Sequence, residues 1–287
     1  MQPDLTPSIS PQEDRSVETW LSAPKSGNKE PDLSMELEIC VDSVESAIAS
    51  AKGGAQRIEL CSALSEGGIT PSSGLIHAVR SAVGIQVFVI IRPRGGNFVY
   101  SDYELEVMRQ DIQQVKAWGV DGVVLGVLTE DNDIDRFRVR ELITLARPLQ
   151  VTFHRAFDVC NDLERALEDV IAAGADRILT SGGHADALKG LNSIAALQRQ
   201  AGRRIGIMAG GGIRASNLRD IAIHTGVHAV HTSLSGGPKS TACEGGAAIH
   251  TLHSGFGHFV VRESDVRALK SALHAIDIQN ASSHPEK

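Results

Sequence analysis

The sequence predicts an α/β protein built as a single (β/α)8 barrel, and three observations predict it. Short β-branched runs recur eight times along the chain. Segments of 3.6-residue periodicity lie between them, the alternation that builds a parallel sheet covered by helices. Glycine stands where helical segments run out, at Gly53-Gly54, Gly119, Gly174, Gly202 and Gly226, because the left-handed helix end favours a residue without a Cβ. The rival, an open doubly wound sheet, seldom repeats its unit this often. Its dinucleotide glycine fingerprint is also missing after the first strand, where Cys40-Val41-Asp42-Ser43 stands instead.

The elements follow in order. Leu37–Val41 alternates into a strand, and Val44–Ala51 reads as the first helix. Arg57–Leu60 is the second strand, with Ile76–Val83 helical after it. Gln86–Ile91 is the third strand, and Glu104–Trp118 is a long helix. Gly122–Leu125 and Gln150–Phe153 are strands four and five, and Leu163–Ala173 is an amphipathic helix. Arg177–Leu179, Arg204–Met208 and Ala229–His231 complete the set. Gly54-Ala55-Gln56-Arg57-Ile58-Glu59, Gly119-Val120-Asp121-Gly122-Val123-Val124 and Gly174-Ala175-Asp176-Arg177-Ile178-Leu179 are variants of one phrase: helix end, turn, polar cap, buried strand. The barrel is expected over residues 35–276. Residues 1–34 hold five of the ten prolines and few apolar residues, so they are expected to be a disordered tail. Residues 277–287 read as a polar C-terminal tail.

Composition narrows the function. With 42% hydrophobic residues in 287, the chain can bury a sizeable core. A formal charge of −7 and only 4% aromatics argue against a nucleic-acid partner or an anionic membrane surface. No apolar stretch reaches the roughly 18–20 residues of a membrane span, and no basic start precedes an apolar core as in a secretory signal. Four cysteines in a chain this long are not a disulfide framework.

In a barrel, chemistry sits at the C-terminal ends of the strands. Glu38 and Cys40 share one face of strand 1, and Glu59 and Cys61 share one face of strand 2, because side chains alternate. Ile39, Val41, Ile58 and Leu60 suit the helix-packed outer face, so both Glu–Cys pairs are expected to point inward. Neighbouring strands are about 4.8 Å apart, which brings two thiols and two carboxylates together. Such carboxylates repel, so a positive group is expected beside them: Arg92, Arg155, His154 or a metal ion. Each thiol is either a small core residue or a ligand. As ligands, thiolates with His154, Met208 or His231 suit Cu(I). Zinc is the other candidate, although no C-x-x-C or H-E-x-x-H pattern is present.

Gly210-Gly211-Gly212 follows strand 7, reads as the opening of a helix, and suits backbone N–H donation to an anion, as do Ser181-Gly182-Gly183 and Ser235-Gly236-Gly237. Arg92 and Arg155 end strands 3 and 5 without an evident acidic partner at helical spacing, and add guanidinium forks. If the protein is an enzyme, Glu38, Glu59 and His154 are its candidate catalytic groups. Cys160 and Cys243 read as incidental thiols, and His224, His228, His250, His253, His258 and His274 as solvent-facing.

These motifs resemble the copper homeostasis protein CutC family. The resemblance rests on Glu38-Ile39-Cys40-Val41-Asp42-Ser43, Arg57-Ile58-Glu59-Leu60-Cys61-Ser62, Gly67–Ser72, Ile91-Arg92-Pro93-Arg94-Gly95-Gly96, Asp121–Leu128, Val151–Asp158, Arg177–Gly182 and Ile207–Gly212, in family order over residues 35 to about 235. It implies a cytoplasmic, homo-oligomeric barrel that binds copper and serves copper tolerance or trafficking. It also implies that Cys40 and Cys61 are the copper ligands. The alternative kept beside it is an enzyme acting on a small anionic or phosphorylated substrate, held by Arg92, Arg155, Gly210, Gly211 and Gly212.

Overall fold

Eight parallel strands hydrogen-bond in chain order and the eighth pairs with the first, closing the sheet. This is the expected single TIM-type (β/α)8 barrel. It comes from a computed structural model that describes residues 35–234 and 260–283. The tail 1–34, the Ser235–Gly237 loop, Cys243, His250, His253 and His258 lie outside the described residues.

The strands are β1 (Glu36–Val41), β2 (Arg57–Leu60), β3 (Gln86–Ile90), β4 (Gly122–Leu125), β5 (Gln150–Phe153), β6 (Arg177–Thr180), β7 (Gly206–Gly210) and β8 (Ala229–Thr232). The helices are α1 (Val44–Gly53), α2 (Ser73–Ala82), α3 (Asp102–Ala117), α4 (Arg136–Ala146), α5 (Leu163–Ala173), α6 (Leu191–Ala201), α7 (Leu218–Thr225) and α8 (Glu263–Ser283). The last of these extends into the stretch read as a polar tail. Among the described residues no helix is long and apolar enough to cross a membrane.

Local signals set the boundaries. Ser43, Ser72, Ser101, Asp135 and Asp162 cap helix starts by accepting a backbone N–H, and Ser101 with Glu104 forms a full capping box. Gly54, Gly174 and Gly226 close helices in the left-handed conformation. Strand β7 runs two residues later than its sequence pattern. Arg204 lies in the preceding turn and pairs with Glu168 at 2.6 Å, while Ala209 and Gly210 join the ladder. Gly210 therefore ends β7, and the helix expected to open at the glycines begins only at Leu218.

The alternation is as expected. Ile39, Val41, Ile58 and Leu60 face the helices and join the large core with Ala47 and Ile76. Cys40 and Cys61 form a second apolar cluster with Phe88, Ile90 and Val124. Phe88 fills the barrel because Gly122 makes room: a Cβ there would lie 2.3 Å from the Phe88 ring.

Candidate functional site

The inward faces of β1 and β2 carry an ionic stack. Arg57 is fully buried, its guanidinium paired with Glu38 and, at 2.8 Å, with Glu36. It lies 4.6 Å over the Phe88 ring, and Nη2 contacts the Met208 sulfur at 3.4 Å. Above it, Glu38 Oε1 is 2.6 Å from His231 Nδ1, and Glu59 Oε2 is 3.7 Å from the same nitrogen. The positive groups beside the two carboxylates are thus Arg57 and His231, and among the residues Arg92, Arg155 and His154 none pairs with either one. The alternation Arg57-x-Glu59-x-Cys61 carried this signal, because it puts Arg57 on the inward face. An arginine at a strand start reads more readily as a polar cap.

Electrostatics separate the two acids. Burial favours the neutral form of Glu38, but the charges of Arg57 and His231 and the His231 hydrogen bond outweigh it and hold its pKa down at about 2. Glu59 is pushed up to about 7: burial dominates, His231 and Arg57 offset part of it, and the Glu38 charge adds to it. Burial opposes the charged form of His231, yet the Glu38 hydrogen bond and the charges of Glu59 and Glu38 raise its pKa. Glu38, Glu59 and His231 offer atoms within 4.8 Å of one another, a set that can hold a metal ion. Glu38 is already satisfied by Arg57 and His231, so Glu59, whose Oε2 has no hydrogen-bond partner among the described residues, is the available member.

One layer up, the Cys40 and Cys61 sulfurs are 3.6 Å apart, both free and both buried. The Cys61 S–H also reaches the Val41 carbonyl at 3.5 Å. Hydrogen bonding to Cys61, then burial and the charges of Cys61, Glu59 and Glu38, hold the Cys40 thiol protonated and push its pKa up.

These groups open into a pocket of about 470 Å³ whose lining includes Cys40, Glu59, His154, Arg155, Arg214 and His231. Phe98, Leu64, Ile90 and Leu179 supply apolar wall. Arg92 lines it too, but its Nη1 donates to the carbonyls of Glu66 and Gly68 and its Nη2 to that of Gly96, at 2.7–2.9 Å. It clamps two loops together and contributes charge rather than a free fork.

Arg155 does have a local acid: Nε donates to Asp158 at 2.7 Å, because residues 155–159 form a 3-10 turn that aligns positions three apart. Gly211 and Gly212 line the pocket with φ of 104° and 71°, whereas Gly210 packs on Leu179. Arg214 carries no signal of its own in the sequence, because it follows the glycines in a loop. It reaches the pocket with Nη1 on Thr232 Oγ1 at 3.2 Å.

The architecture defines a TIM-type barrel protein with a pocket at the C-terminal ends of its strands, lined by charged groups. The CutC family model matches residues 35–236, and the chain belongs to the CutC family. A copper homeostasis protein cutC homolog of Mus musculus is 50% identical over 75% of this chain and 78% of its own length. The Homo sapiens homolog of the same name is 53% identical, over 69% and 72%. A crystal structure from Streptococcus agalactiae, bearing the name copper homeostasis protein CutC, is 37% identical. It covers 69% of this chain and 98% of its own, with a TM-score of 0.67. Thiamine phosphate pyrophosphorylase from Pyrococcus furiosus, at 16% identity and a TM-score of 0.53, shares the fold alone.

Proposed function

We propose that the protein acts in copper homeostasis by binding Cu(I) between the thiolates of Cys40 and Cys61. The observation that carries this reading is the buried sulfur pair at 3.6 Å, with Cys40 on the pocket wall. Metal–sulfur bonds of about 2.3 Å put two sulfurs about 3.8 Å apart at a tetrahedral angle and about 4.6 Å apart in a linear pair, so the sulfurs need to separate by about 1 Å at most. Thiolates are soft donors and select Cu(I) over harder ions. The names of the mouse and human relatives support copper as the cargo. The proposal includes a cytoplasmic location and a homo-oligomeric state, both carried by the family resemblance.

The test is competition for Cu(I) against a chelator under anaerobic, reducing conditions. The Cys40→Ser/Cys61→Ser variant should lose tight binding, while Glu59→Gln should keep it. Unchanged affinity in the double variant would move the site away from the thiols. Loss in Glu59→Gln instead would favour the carboxylate–imidazole group.

A second reading is an enzyme acting on a small anionic substrate, and Glu59 favours it. A carboxyl pushed up to about 7 both gives and takes a proton near neutrality, and Glu38 orients the adjacent His231 ring. Solvent-deuterium incorporation into candidate substrates, abolished in Glu59→Gln, is its test.

A further inference from the structure

The far wall of the pocket is lined with donors that neither copper nor the Glu38–Arg57 stack uses. His154 is the most constrained of them. It is 5% exposed, and its Nδ1 accepts the Ala156 N–H at 3.2 Å. That bond fixes the tautomer, so Nε2 carries the hydrogen. The ring is locked by Phe98 at 5.0 Å and Phe153 at 6.0 Å between centroids, and it fits only because residue 126 is glycine, where a Cβ would lie 2.6 Å from it. Burial and the nearby Arg92 charge keep the imidazole neutral. Yet Nε2 has no hydrogen-bond partner among the described residues. An unmet buried donor is destabilising, and a group left so in a pocket wall calls for an acceptor from outside.

Arg155 is the second donor. Asp158 holds Nε at 2.7 Å and Ser181 Oγ accepts from Nη2 at 2.7 Å, so the guanidinium is pinned. Asp158 is itself fixed by the N–H groups of Ser181 and Gly183 at 3.0 Å. The remaining nitrogen, Nη1, lies where a side chain on Gly211 would press on it, 3.4 Å from a Cβ placed there. Glycine at 211 thus keeps this edge of the fork open beside the pocket. Glu59 and Glu66 also line the pocket, and an ionised carboxylate there would repel a second negative group. A volume of about 470 Å³ with Leu64, Ile90, Phe98 and Leu179 in its walls is far larger than an inorganic oxyanion and suits a carbon skeleton.

We propose that the barrel mouth binds a small carbonyl compound carrying one oxyanion group, its carbonyl oxygen accepting from His154 Nε2–H and its oxyanion accepting from Arg155 Nη1. The oxyanion is a carboxylate or a phosphate; both match the guanidinium edge. The proposal deepens the enzyme reading by naming the ligand class, and it is independent of copper, because neither donor belongs to the thiol layer.

Binding is measured directly by calorimetry on the full-length, metal-free protein, so its failure is separate from absence of turnover. The probes are 2-oxobutyrate and dihydroxyacetone phosphate, with butyrate, 2-butanone and inorganic phosphate as controls. One of the two oxo anions should bind at least about tenfold more tightly than every control, the loss expected for one hydrogen bond to a charged or buried partner. Which one binds identifies the oxyanion. His154→Leu and Arg155→Lys should each weaken binding about tenfold or more, and His154→Gln should restore most of it. If neither oxo anion outbinds its controls in the wild type, or if His154→Leu and Arg155→Lys bind unchanged, the proposal is overturned. The wild-type contrast decides even if a variant fails to fold.

Discussion

His231 Nδ1 lies 2.6 Å from Glu38 Oε1 although 193 residues separate them in the chain. The contact exists because β8 pairs with β1 in a register that sets Glu38 opposite His231. Closure of the barrel therefore builds the floor of the site, and the charges there depend on one another.

Removing Arg57 should be severe. Its guanidinium balances Glu38, which is fully buried, so Arg57→Met leaves that carboxylate with His231 as its one remaining ion-pair partner among the described residues. A loss of about 3–5 kcal/mol is expected by urea denaturation. Arg57→Met/Glu38→Met should recover much of it, because the buried charge is gone. A double variant no better than the single would show that packing over Phe88, rather than charge, is what Arg57 supplies.

Glu59 and Glu38 should tilt stability in opposite directions with pH. Folding raises Glu59 from an ordinary 4.5 to about 7, so the native state keeps a proton that the unfolded chain releases in that window. Its contribution is full below pH 4.5 and is lost as pH rises through about 7. Glu38, held at about 2, contributes above 4.5 and loses that contribution as pH falls toward 2. Relative to Glu59→Gln, the wild type should lose stability between about pH 5 and pH 8. Parallel denaturation midpoints across that range would falsify the assignment to Glu59.

Copper binding should release protons. The Cys40 thiol is held neutral by Cys61, burial and the nearby carboxylates, and only a thiolate ligates. Cu(I) affinity should therefore rise about tenfold per pH unit for each proton expelled. Calorimetry in buffers of different ionisation enthalpy counts those protons, and a count of zero is incompatible with ligation by Cys40.

Gly122 should tolerate no side chain while Phe88 fills the barrel. A Cβ at 122 would come within 2.3–2.6 Å of three ring atoms of Phe88. Gly122→Ala should cost about 1–3 kcal/mol. Phe88→Leu in the same chain should recover part of the loss, and thermal melts of the three variants would show whether that ring is the obstacle.

The sequence by itself determined the barrel and which residues face its interior. Alternation put Glu38, Cys40, Glu59 and Cys61 inward, and eight recurring β-branched runs with helical segments between them set the number of units. These follow from local rules: a period of two for strands, and a left-handed helix end that favours glycine. Only the tertiary structure decided which charges meet. Arg57 neutralises Glu38 because β2 lies beside β1, and His231 reaches both acids because the sheet closes. Arg92, expected to offer a fork, turns both Nη1 and Nη2 to loop carbonyls whose positions no local pattern specifies. Arg155 acquires Asp158 from a 3-10 turn, and Arg214 reaches the mouth from a loop. Ion pairing depends on distance across strands that are far apart in the chain. That distance is set by sheet closure and loop geometry, neither of which is a periodic property of the sequence.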